Sequence, residues 1–224
     1  TFFDIETSGD ITTDYFFEVD LLCFSMSQEG TPQYVIAEEL ANDVDVLKYL
    51  AEMLLCGHNL SYDVKVINAK LKGVAKAQIY YDTMLGHWVY YPAAEAGLKI
   101  LGESYFGVED WDSGLKDYTK TASYKEPWHK EDGSWASARR YTGGSGYERI
   151  PRDMLYLYNA YDTHYTRELH AVVDDLLATS ESKHRAFRDR MDMANMYMDF
   201  ETVGTRVDIE HLKKLEAELE EEKT

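Results

Sequence analysis

The opening segment TFFDIET carries two acids, Asp4 and Glu6, separated by one residue. Phe2, Phe3 and Ile5 surround them and predict a buried β-strand. Residues i and i+2 of a strand point to the same face, so the two carboxylates would lie side by side. Neighbouring carboxylates repel each other unless a cation lies between them, and Mg²⁺ prefers such hard oxygen ligands. The pair therefore indicates a site for a divalent metal ion.

The same spacing recurs at Asp208 and Glu210, which shows that two acids alone are weak evidence. This second copy lies just before a helix-like segment at the end of the chain. We predict that Asp208 caps that helix and that Glu210 lies in its first turn, where acids interact favourably with the helix dipole.

The segment CGHNLSYDVKVINAKL offers partners for the first acidic pair. Asn59 is placed to end a loop and bind a substrate, and Asp63 to open a helix with its carboxylate directed back toward the first strand. Tyr62 lies directly before this acid. The alternative for Asp63 is a plain helix cap, and the same N-x-x-x-D spacing recurs at 195–199, so the motif is moderately specific.

The segment LYLYNAYDTHYTREL contains a third candidate, Tyr158 followed four residues later by Asp162. One helical turn separates the two residues, so both would project from the same face of a helix. The alternative is an ordinary amphipathic helix with Tyr158 in the core and Asp162 in solvent. Two metal ions that act together on a phosphate ester need several carboxylates, which the three segments jointly supply.

The chain of 224 residues has a formal net charge of −18, and 45% of its residues are hydrophobic. This apolar content suffices for a packed core and argues against global disorder. The charge argues against a free-standing nucleic-acid binder, which usually presents a basic surface to the phosphates. Metal ions that neutralise the acids and the phosphate together would remove this objection, as would a basic surface elsewhere in the same protein.

Two cysteines, Cys23 and Cys56, lie in apolar surroundings with no pairing pattern, which is typical of reduced thiols in an intracellular protein. No apolar run approaches the roughly 20 residues of a membrane span, and no signal peptide is visible. We therefore expect a cytoplasmic protein without a membrane partner. The first residue is Thr rather than Met, and we expect the sequence to be a piece of a longer chain.

Strand-like and helix-like segments alternate along the chain, which favours an α/β fold. The strand-like segments are residues 1–7, 16–26, 32–36 and 78–81. The helix-like segments are residues 43–55, 63–72, 152–178 and 182–198, with further helices that start near residues 82 and 208. Residues 56–59 are predicted to form a break, and Asp82 to cap a helix and support the fold.

Residues 111–152 differ from the rest of the chain, with dense glycines, serines and turn residues and poor periodicity. Aromatic residues are interleaved there with lysines and arginines. Such a segment could stack bases and hold a single strand of nucleic acid. We favour the alternative, a loop-rich insertion that packs its own aromatic residues.

The order of the motifs, D-x-E on a strand, then N-x-x-Y-D, then Y-x-x-x-D on a late helix, resembles the DEDD exonuclease superfamily in its tyrosine-bearing branch. The segments YYDTMLGHWVYYP, GLKILGESYFG and YNAYDTHYTRELH resemble the proofreading domains of family A DNA polymerases. The segment MANMYMDFETVGTRVDIEHLKKLEAELEE resembles the part that leads into the polymerase domain. The resemblance covers residues 1–108 and 152–224 and leaves the insert between them poorly matched.

The resemblance implies a ribonuclease-H-like mixed sheet flanked by helices, followed by C-terminal helices. It implies a 3′-5′ exonuclease domain over residues 1–180, which includes the insert 111–152. Residues 181–224 would form the truncated helical start of a polymerase thumb. Polymerase palm motifs are absent from the sequence, so this chain is not itself expected to synthesise DNA.

The resemblance also implies roles for the acids. Asp4, Glu6 and Asp162 would ligate one divalent metal ion, Mg²⁺ or Mn²⁺. Asp4 would bridge to a second ion, which Asp63 would hold directly or through water. The ions would lower the pKa of the attacking water and stabilise charge on the phosphate.

Four other residues would act on the substrate. Thr7 would lie close to the terminal nucleotide, and Asn59 and Tyr62 would bind the strand. Tyr158 would orient the attacking water as a hydrogen-bonding partner, since a free tyrosine has a pKa of about 10.

The implied function is removal of nucleoside monophosphates from the 3′ end of single-stranded DNA, in the proofreading domain of a family A DNA polymerase from a phage or a bacterium. The polymerase domain of the same full-length chain would be its partner. Two alternatives stay open: an RNA-trimming enzyme similar to ribonuclease D, and a catalytically silent domain that positions DNA.

Overall fold

The computed structural model of the chain describes residues 1–8, 19–119, 123–129, 135–141 and 146–222. The strands are β1 (Phe2–Thr7), β2 (Leu21–Ser27), β3 (Tyr34–Ala37), β4 (Leu55–Gly57), β5 (Ile79–Asp82), β6 (Ser123–His129) and β7 (Trp135–Tyr141). The helices are α1 (Glu38–Ala41), α2 (Val44–Ala51), α3 (Ser61–Leu71), α4 (Thr83–Tyr90), α5 (Leu98–Phe106), α6 (Lys116–Thr119), α7 (Arg152–Ala178), α8 (Glu181–Val203) and α9 (Ile209–Glu222).

Five strands form one mixed sheet in the order β3-β2-β1-β4-β5. β2 runs antiparallel to β1 and β3, whereas β4 runs parallel to both β1 and β5. Helix α7 packs on β1 and β2, and α4 packs on α7 and α8. The predicted α/β class, with a mixed sheet flanked by helices, is confirmed.

Strand β1 separates apolar from acidic side chains by simple alternation. Phe3 and Ile5 are 1% and 7% exposed and lie in the main core cluster. Asp4 and Glu6 occupy the alternate positions and therefore point to the other face of the strand. Asn159 on α7 donates a hydrogen bond to the Asp4 side chain, so α7 reaches this acidic face.

The segment after α2 corrects one expectation. We predicted a helix over 43–55 and a break at 56–59, but α2 ends at Ala51 and Leu55–Gly57 forms β4. The prediction was wrong because β4 has only three residues, which are too few to show the alternating pattern of a strand. Its pairing with β1 and β5, which are distant in sequence, supplies the backbone hydrogen bonds that define it.

The C-terminal helices follow the predicted pattern. α7 spans the predicted residues 152–178, and α8 extends the helix predicted at 182–198 in both directions. Asp208 precedes α9, and its Oδ1 accepts a hydrogen bond from the backbone N–H of His211 at 3.0 Å. The second D-x-E pair is therefore a helix cap, as predicted. Within the residues that the structure describes, no helix has both the length and the apolar character of a membrane span.

The insert contains the short helix α6 and an antiparallel hairpin of β6 and β7. Near its two ends, Leu115 and Ile150 are buried in a second core cluster with Leu155 and Tyr158 of α7. The side chains of the hairpin lie outside the described residues. The choice between base stacking and self-packing therefore stays a prediction for them.

Candidate active site

Acids from the first and third motifs meet on the face of β1 that α7 reaches. One carboxylate oxygen each from Asp4, Glu6 and Asp162 lies within 4.8 Å of the other two. Glu6 and Asp162 are 8% and 4% exposed, so the cluster is largely shielded from water. The structure thus brings these three acids together, and their roles as metal ligands stay predictions.

Asp63, from the second motif, approaches the same strand from α3, whose third residue it is. Its Oδ1 accepts a hydrogen bond from the backbone N–H of Ile5 at 3.1 Å. The carboxylate is therefore directed back toward β1, as the sequence predicted. Asp63 is not among the three acids whose oxygens cluster within 4.8 Å. Its position beside them suits the predicted ligand of a second ion.

The pKa values of these acids reflect burial and mutual repulsion. Burial raises the pKa of Asp4 well above its usual value, and the charges of Asp162, Asp63 and Glu6 raise it further. Burial, followed by the charge of Asp162, also raises the pKa of Glu6. Burial raises the pKa of Asp63 to about 7, although the hydrogen bond from Ile5 opposes the shift. If all of these acids were ionised, the cluster would hold more negative charge than its surroundings neutralise, so without a cation the acids tend to retain protons.

The three clustered acids fit a divalent cation such as Mg²⁺ or Mn²⁺. Asp4, Glu6 and Asp162 offer hard oxygen donors that repel one another, and a cation would relieve this repulsion. Asn159 Oδ1 is buried beside them and has no hydrogen-bond partner in the described part of the chain. An unpaired buried acceptor at this place suits a water molecule of a hydrated ion.

Lys99 is a component of the site that the sequence analysis did not identify. It lies in α5, where its Nζ forms an ion pair with Asp162 and donates a hydrogen bond to Tyr158 Oη at 3.0 Å. The ammonium also lies 4.5 Å from the centre of the Tyr158 ring. The segment GLKILGESYFG contains this lysine, but a single lysine near the start of a helix carries no functional signal by itself.

Asn159 was also missed by the sequence analysis. Its Nδ2 donates a hydrogen bond to Asp4 Oδ2 at 2.7 Å, and its backbone carbonyl accepts one from Ser25 Oγ at 2.7 Å. Ser25 lies opposite Asp4 in the pairing of β1 with β2. Asn159 therefore joins α7 to both strands and orients the Asp4 carboxylate. Its position three residues before Asp162, on the same helix face, was a signal that could have identified it.

Tyr158 lies beside the acid cluster and is 8% exposed. Burial, followed by the negative charges of Asp162 and Glu6, raises the pKa of its phenol well above the usual value. A phenol in this environment stays protonated and acts by hydrogen bonding. The ring of Tyr147, from the end of the insert, lies 6.1 Å from the Tyr158 ring between centroids.

The predicted substrate residues fall into two groups. Thr7 Oγ1 and Tyr62 Oη share a hydrogen bond of 2.8 Å, which joins the end of β1 to α3 directly after the acidic pair. Asn59 has a φ of 58° and lines a cavity of about 250 Å³ together with Tyr197 and Met198. The structure therefore gives Asn59 different neighbours from the other two, and the substrate contacts of all three stay predictions.

Asp82 supports the loop that carries the second motif. Its Oδ1 accepts hydrogen bonds from the backbone N–H groups of Met84 and Leu85 at the start of α4. The backbone N–H groups of Asn59 and Leu60 donate to the same carboxylate. One side chain thus caps α4 and fixes the turn between β4 and α3. The prediction that Asp82 caps a helix and supports the fold is confirmed.

The arrangement of the site agrees with a comparison against protein families. A family model described as 3′-5′ exonuclease matches residues 2–178. The chain belongs to this 3′-5′ exonuclease family. Membership confirms the exonuclease part of the predicted resemblance, whereas the polymerase context and the phage or bacterial origin stay predictions. No curated protein matches this exonuclease chain by sequence.

Solved structures similar to this exonuclease chain include Brucella melitensis NrnC, which is 14% identical with a TM-score of 0.59, over 92% of this chain and 87% of that chain. Brucella melitensis NrnC bound to pGG is 13% identical with a TM-score of 0.57, over 92% of this chain and 88% of that chain. Brucella melitensis NrnC with bound Mg²⁺ is 15% identical with a TM-score of 0.57, over 92% of this chain and 87% of that chain. These likenesses establish the fold, which is consistent with the predicted ribonuclease-H-like exonuclease fold.

Proposed function

We propose that this chain is a metal-dependent 3′-5′ exonuclease that releases nucleoside monophosphates from the 3′ ends of short single-stranded RNA. The observation that carries the proposal is the convergence of Asp4, Glu6 and Asp162 in a chain of the exonuclease family. A catalytically silent positioning domain is a poorer explanation. Such a domain would have no reason to keep buried, mutually repelling acids, because they lower stability.

Asp4, Glu6 and Asp162 would hold one divalent ion, and Asp63 would take part in holding a second. The Mg²⁺ bound in one of the NrnC structures supports this choice of ion. When bound, the ions supply charge stabilisation at the phosphate and lower the pKa of a water molecule. Asn159 orients the Asp4 carboxylate through its side-chain amide, so this ligand is positioned before an ion binds.

Tyr158 would orient the attacking water. Lys99 Nζ donates to the Tyr158 hydroxyl oxygen, which fixes the position of that oxygen beside the acids. Because the pKa of this phenol is raised, Tyr158 stays protonated near neutral pH and serves as a hydrogen-bonding group rather than a base. Hydrolysis joins the water oxygen to phosphorus and releases the 3′ oxygen of the shortened strand. The product is one nucleoside monophosphate for each turnover.

Two observations support short RNA over a DNA end delivered by a polymerase. The first is that one of the similar structures is bound to pGG. The second is the extent of the structural match. The match leaves out 8% of the 224 residues, or about 18, whereas the C-terminal segment 181–224 contains 44 residues, so even if all unmatched residues lay there, most of it would still be matched. Most of the C-terminal helices therefore fall within the region that matches NrnC. This supports their being part of one shared fold rather than the start of a polymerase thumb.

The test uses matched single-stranded RNA and DNA of one sequence, labelled at the 5′ end. With Mg²⁺ or Mn²⁺ we expect stepwise shortening of RNA from its 3′ end, and no shortening with a chelator. Asp4→Ala and Asp162→Ala should abolish the activity, whereas Asp208→Ala, which alters an exposed helix cap, should retain it. Unchanged activity in either of the first two variants would contradict the proposal.

Proofreading of DNA is the second candidate function. The segments YYDTMLGHWVYYP and GLKILGESYFG favour it, because they resemble proofreading domains of family A DNA polymerases. The same assay separates the two candidates. Faster release from the DNA strand than from the matched RNA, together with polymerase palm motifs downstream in the gene, would favour proofreading.

A further inference from the structure

Trp111 reaches the acid cluster from outside the three acidic motifs. It is the first residue of the insert, and its Nε1–H donates a hydrogen bond to Asp162 Oδ1 at 2.7 Å. Asp162 is one of the three acids that would hold a metal ion. A residue of the insert thus contacts a proposed metal ligand directly.

The indole of Trp111 is held on several sides. The centroid of its ring system lies 4.6 Å from that of Tyr165, and Lys99 Nζ lies 5.0 Å from the ring centre. Gly102 of α5 approaches the ring so closely that a Cβ at this position would lie 3.0 Å from two of its carbon atoms. This packing restricts the directions in which the N–H can point.

We propose that Trp111 is a positioning residue that fixes the rotation of the Asp162 carboxylate for metal binding. Trp111 and Lys99 both donate to Asp162 Oδ1. Two donors on the same oxygen fix the plane of the carboxylate, and with it the direction in which Oδ2 faces the other two acids. The inference rests on the proposed function, because it takes Asp162 as a metal ligand.

Trp111 and Lys99 contribute differently to this arrangement. The Lys99 ammonium lies on a flexible stem, also donates to Tyr158, and repels a cation by its charge. The indole N–H is neutral, belongs to a rigid ring and donates in one direction. A neutral, directional donor orients a metal ligand without opposing the charge of the metal.

Trp111→Phe tests the inference, because phenylalanine keeps an aromatic ring and removes the N–H donor. We expect the affinity for Mn²⁺, measured by calorimetry without substrate, to fall by about 10–100-fold. The thermal midpoint of the metal-free protein should fall by no more than the loss of one hydrogen bond explains, and the variant should stay folded. At limiting Mn²⁺, kcat should fall and then recover as the metal concentration rises, while KM for the oligonucleotide stays unchanged.

Trp88→Phe is the matched control, since Trp88 lies on α4 and is 38% exposed. This variant should bind Mn²⁺ like the wild type. Gly102→Ala is a second, independent variant that serves if Trp111→Phe does not fold. Its methyl group presses on the indole without removing it, and alanine favours the helix, so we expect a folded protein with a smaller loss of metal affinity.

Wild-type Mn²⁺ affinity in a folded Trp111→Phe variant would overturn the inference. A lower thermal midpoint without any change in affinity would also overturn it, since that result indicates a purely structural role. Failure of the proposed function gives a different result. In that case the wild-type protein binds Mn²⁺ but degrades neither RNA nor DNA, and the affinity comparison still stands by itself.

Discussion

Single residues determine how much repulsion the acid cluster contains. Asp4, Glu6 and Asp162 lie within 4.8 Å of one another through one oxygen each, and Lys99 supplies an ammonium to one of them. One positive charge cannot offset three negative charges. Burying unneutralised carboxylates lowers stability, so folding alone does not explain the cluster. Strongly shifted pKa values in such a cluster are typical of functional sites.

Tyr158→Phe should slow cleavage without weakening metal binding. The ring keeps its place in the second core cluster, but the hydroxyl that Lys99 holds is lost. A hydrogen bond to a charged group is worth about 1.5–3 kcal/mol, which corresponds to about 10–100-fold in kcat. The measurements are kcat at saturating Mn²⁺ and Mn²⁺ affinity by calorimetry. A large loss of metal affinity would contradict the role assigned to Tyr158.

Lys99→Met should lower kcat by about 10–100-fold, because it removes both the ion pair with Asp162 and the donor to Tyr158. Lys99→Arg keeps the positive charge and should retain more activity. Lys183→Met is the matched control, since the ammonium of Lys183 lies over the ring of Tyr90. Single-turnover rates at saturating Mn²⁺ give the comparison, and a wild-type rate in Lys99→Met would exclude a role in positioning.

The site residues that the sequence predicted differ from those it missed in where their partners lie. The acids of β1 are two residues apart, and the tyrosine and aspartate of α7 are four apart, so local periodicity places each pair on one face. Asn159 contacts an acid 155 positions away, and Lys99 one 63 positions away. Trp111 lies in the segment with the poorest periodicity. The spacing of Asn159 and Asp162 hinted at the first of these contacts, whereas only the folded chain reveals those of Lys99 and Trp111.

At the scale of elements, the turn between β4 and α3 depends on one carboxylate. Asp82→Ala should lower both stability and activity, because backbone N–H groups at the start of α4 and at Asn59 and Leu60 lose their acceptor. We expect a loss of about 2–4 kcal/mol in the free energy of unfolding. Activity should fall as well, since the turn that places Asp63 beside β1 loosens.

Asp43→Ala is the matched control for this loss of a cap. Asp43 caps α2 by accepting hydrogen bonds from the backbone N–H groups of Asp45 and Val46, and α2 contributes no acid to the cluster. We expect a cost of about 0.5–2 kcal/mol and an unchanged kcat. Chemical denaturation and the nuclease assay measure the two quantities. Equal losses of activity in the two variants would refute the link between Asp82 and the site.

Local sequence determines some elements of this fold and not others. The helix α7 has the predicted bounds because apolar residues recur about every 3.6 positions over a long segment. This segment follows Pro151, and proline is favourable at a helix start. β4 has no such pattern in its three residues and depends on pairing with β1 and β5. The order of the strands likewise depends on contacts between distant segments. The sequence therefore predicted the α/β class and the long helices, but not the short strand that precedes the second motif.

At the scale of the whole molecule, the acid cluster links folding to proton binding. The pKa of Asp63 is about 7 in the folded protein, against an ordinary value of 3.8. Between these two pH values the folded chain retains a proton that the unfolded chain has lost. The contribution of Asp63 to the stability of the metal-free protein therefore decreases as pH rises from about 4 to about 7. Above this range the buried carboxylate is charged, and the full penalty is present.

A bound divalent ion should stabilise the folded protein most at a pH where the acids are already charged. At lower pH the ion must first displace protons from the acids, and this lowers its net contribution to stability. We expect the rise in thermal midpoint on addition of Mg²⁺ to be larger at about pH 8 than at about pH 5.5. Scanning fluorimetry with and without the ion measures this difference. The side chain that Asp63→Asn introduces cannot titrate, so the rise in thermal midpoint on addition of Mg²⁺ should depend less on pH in this variant. Asp208→Asn, at an exposed helix cap, should leave the pH dependence of that rise unchanged. An equal rise at both pH values would show that the ion displaces no protons, and the buried acids would then need an explanation other than metal binding.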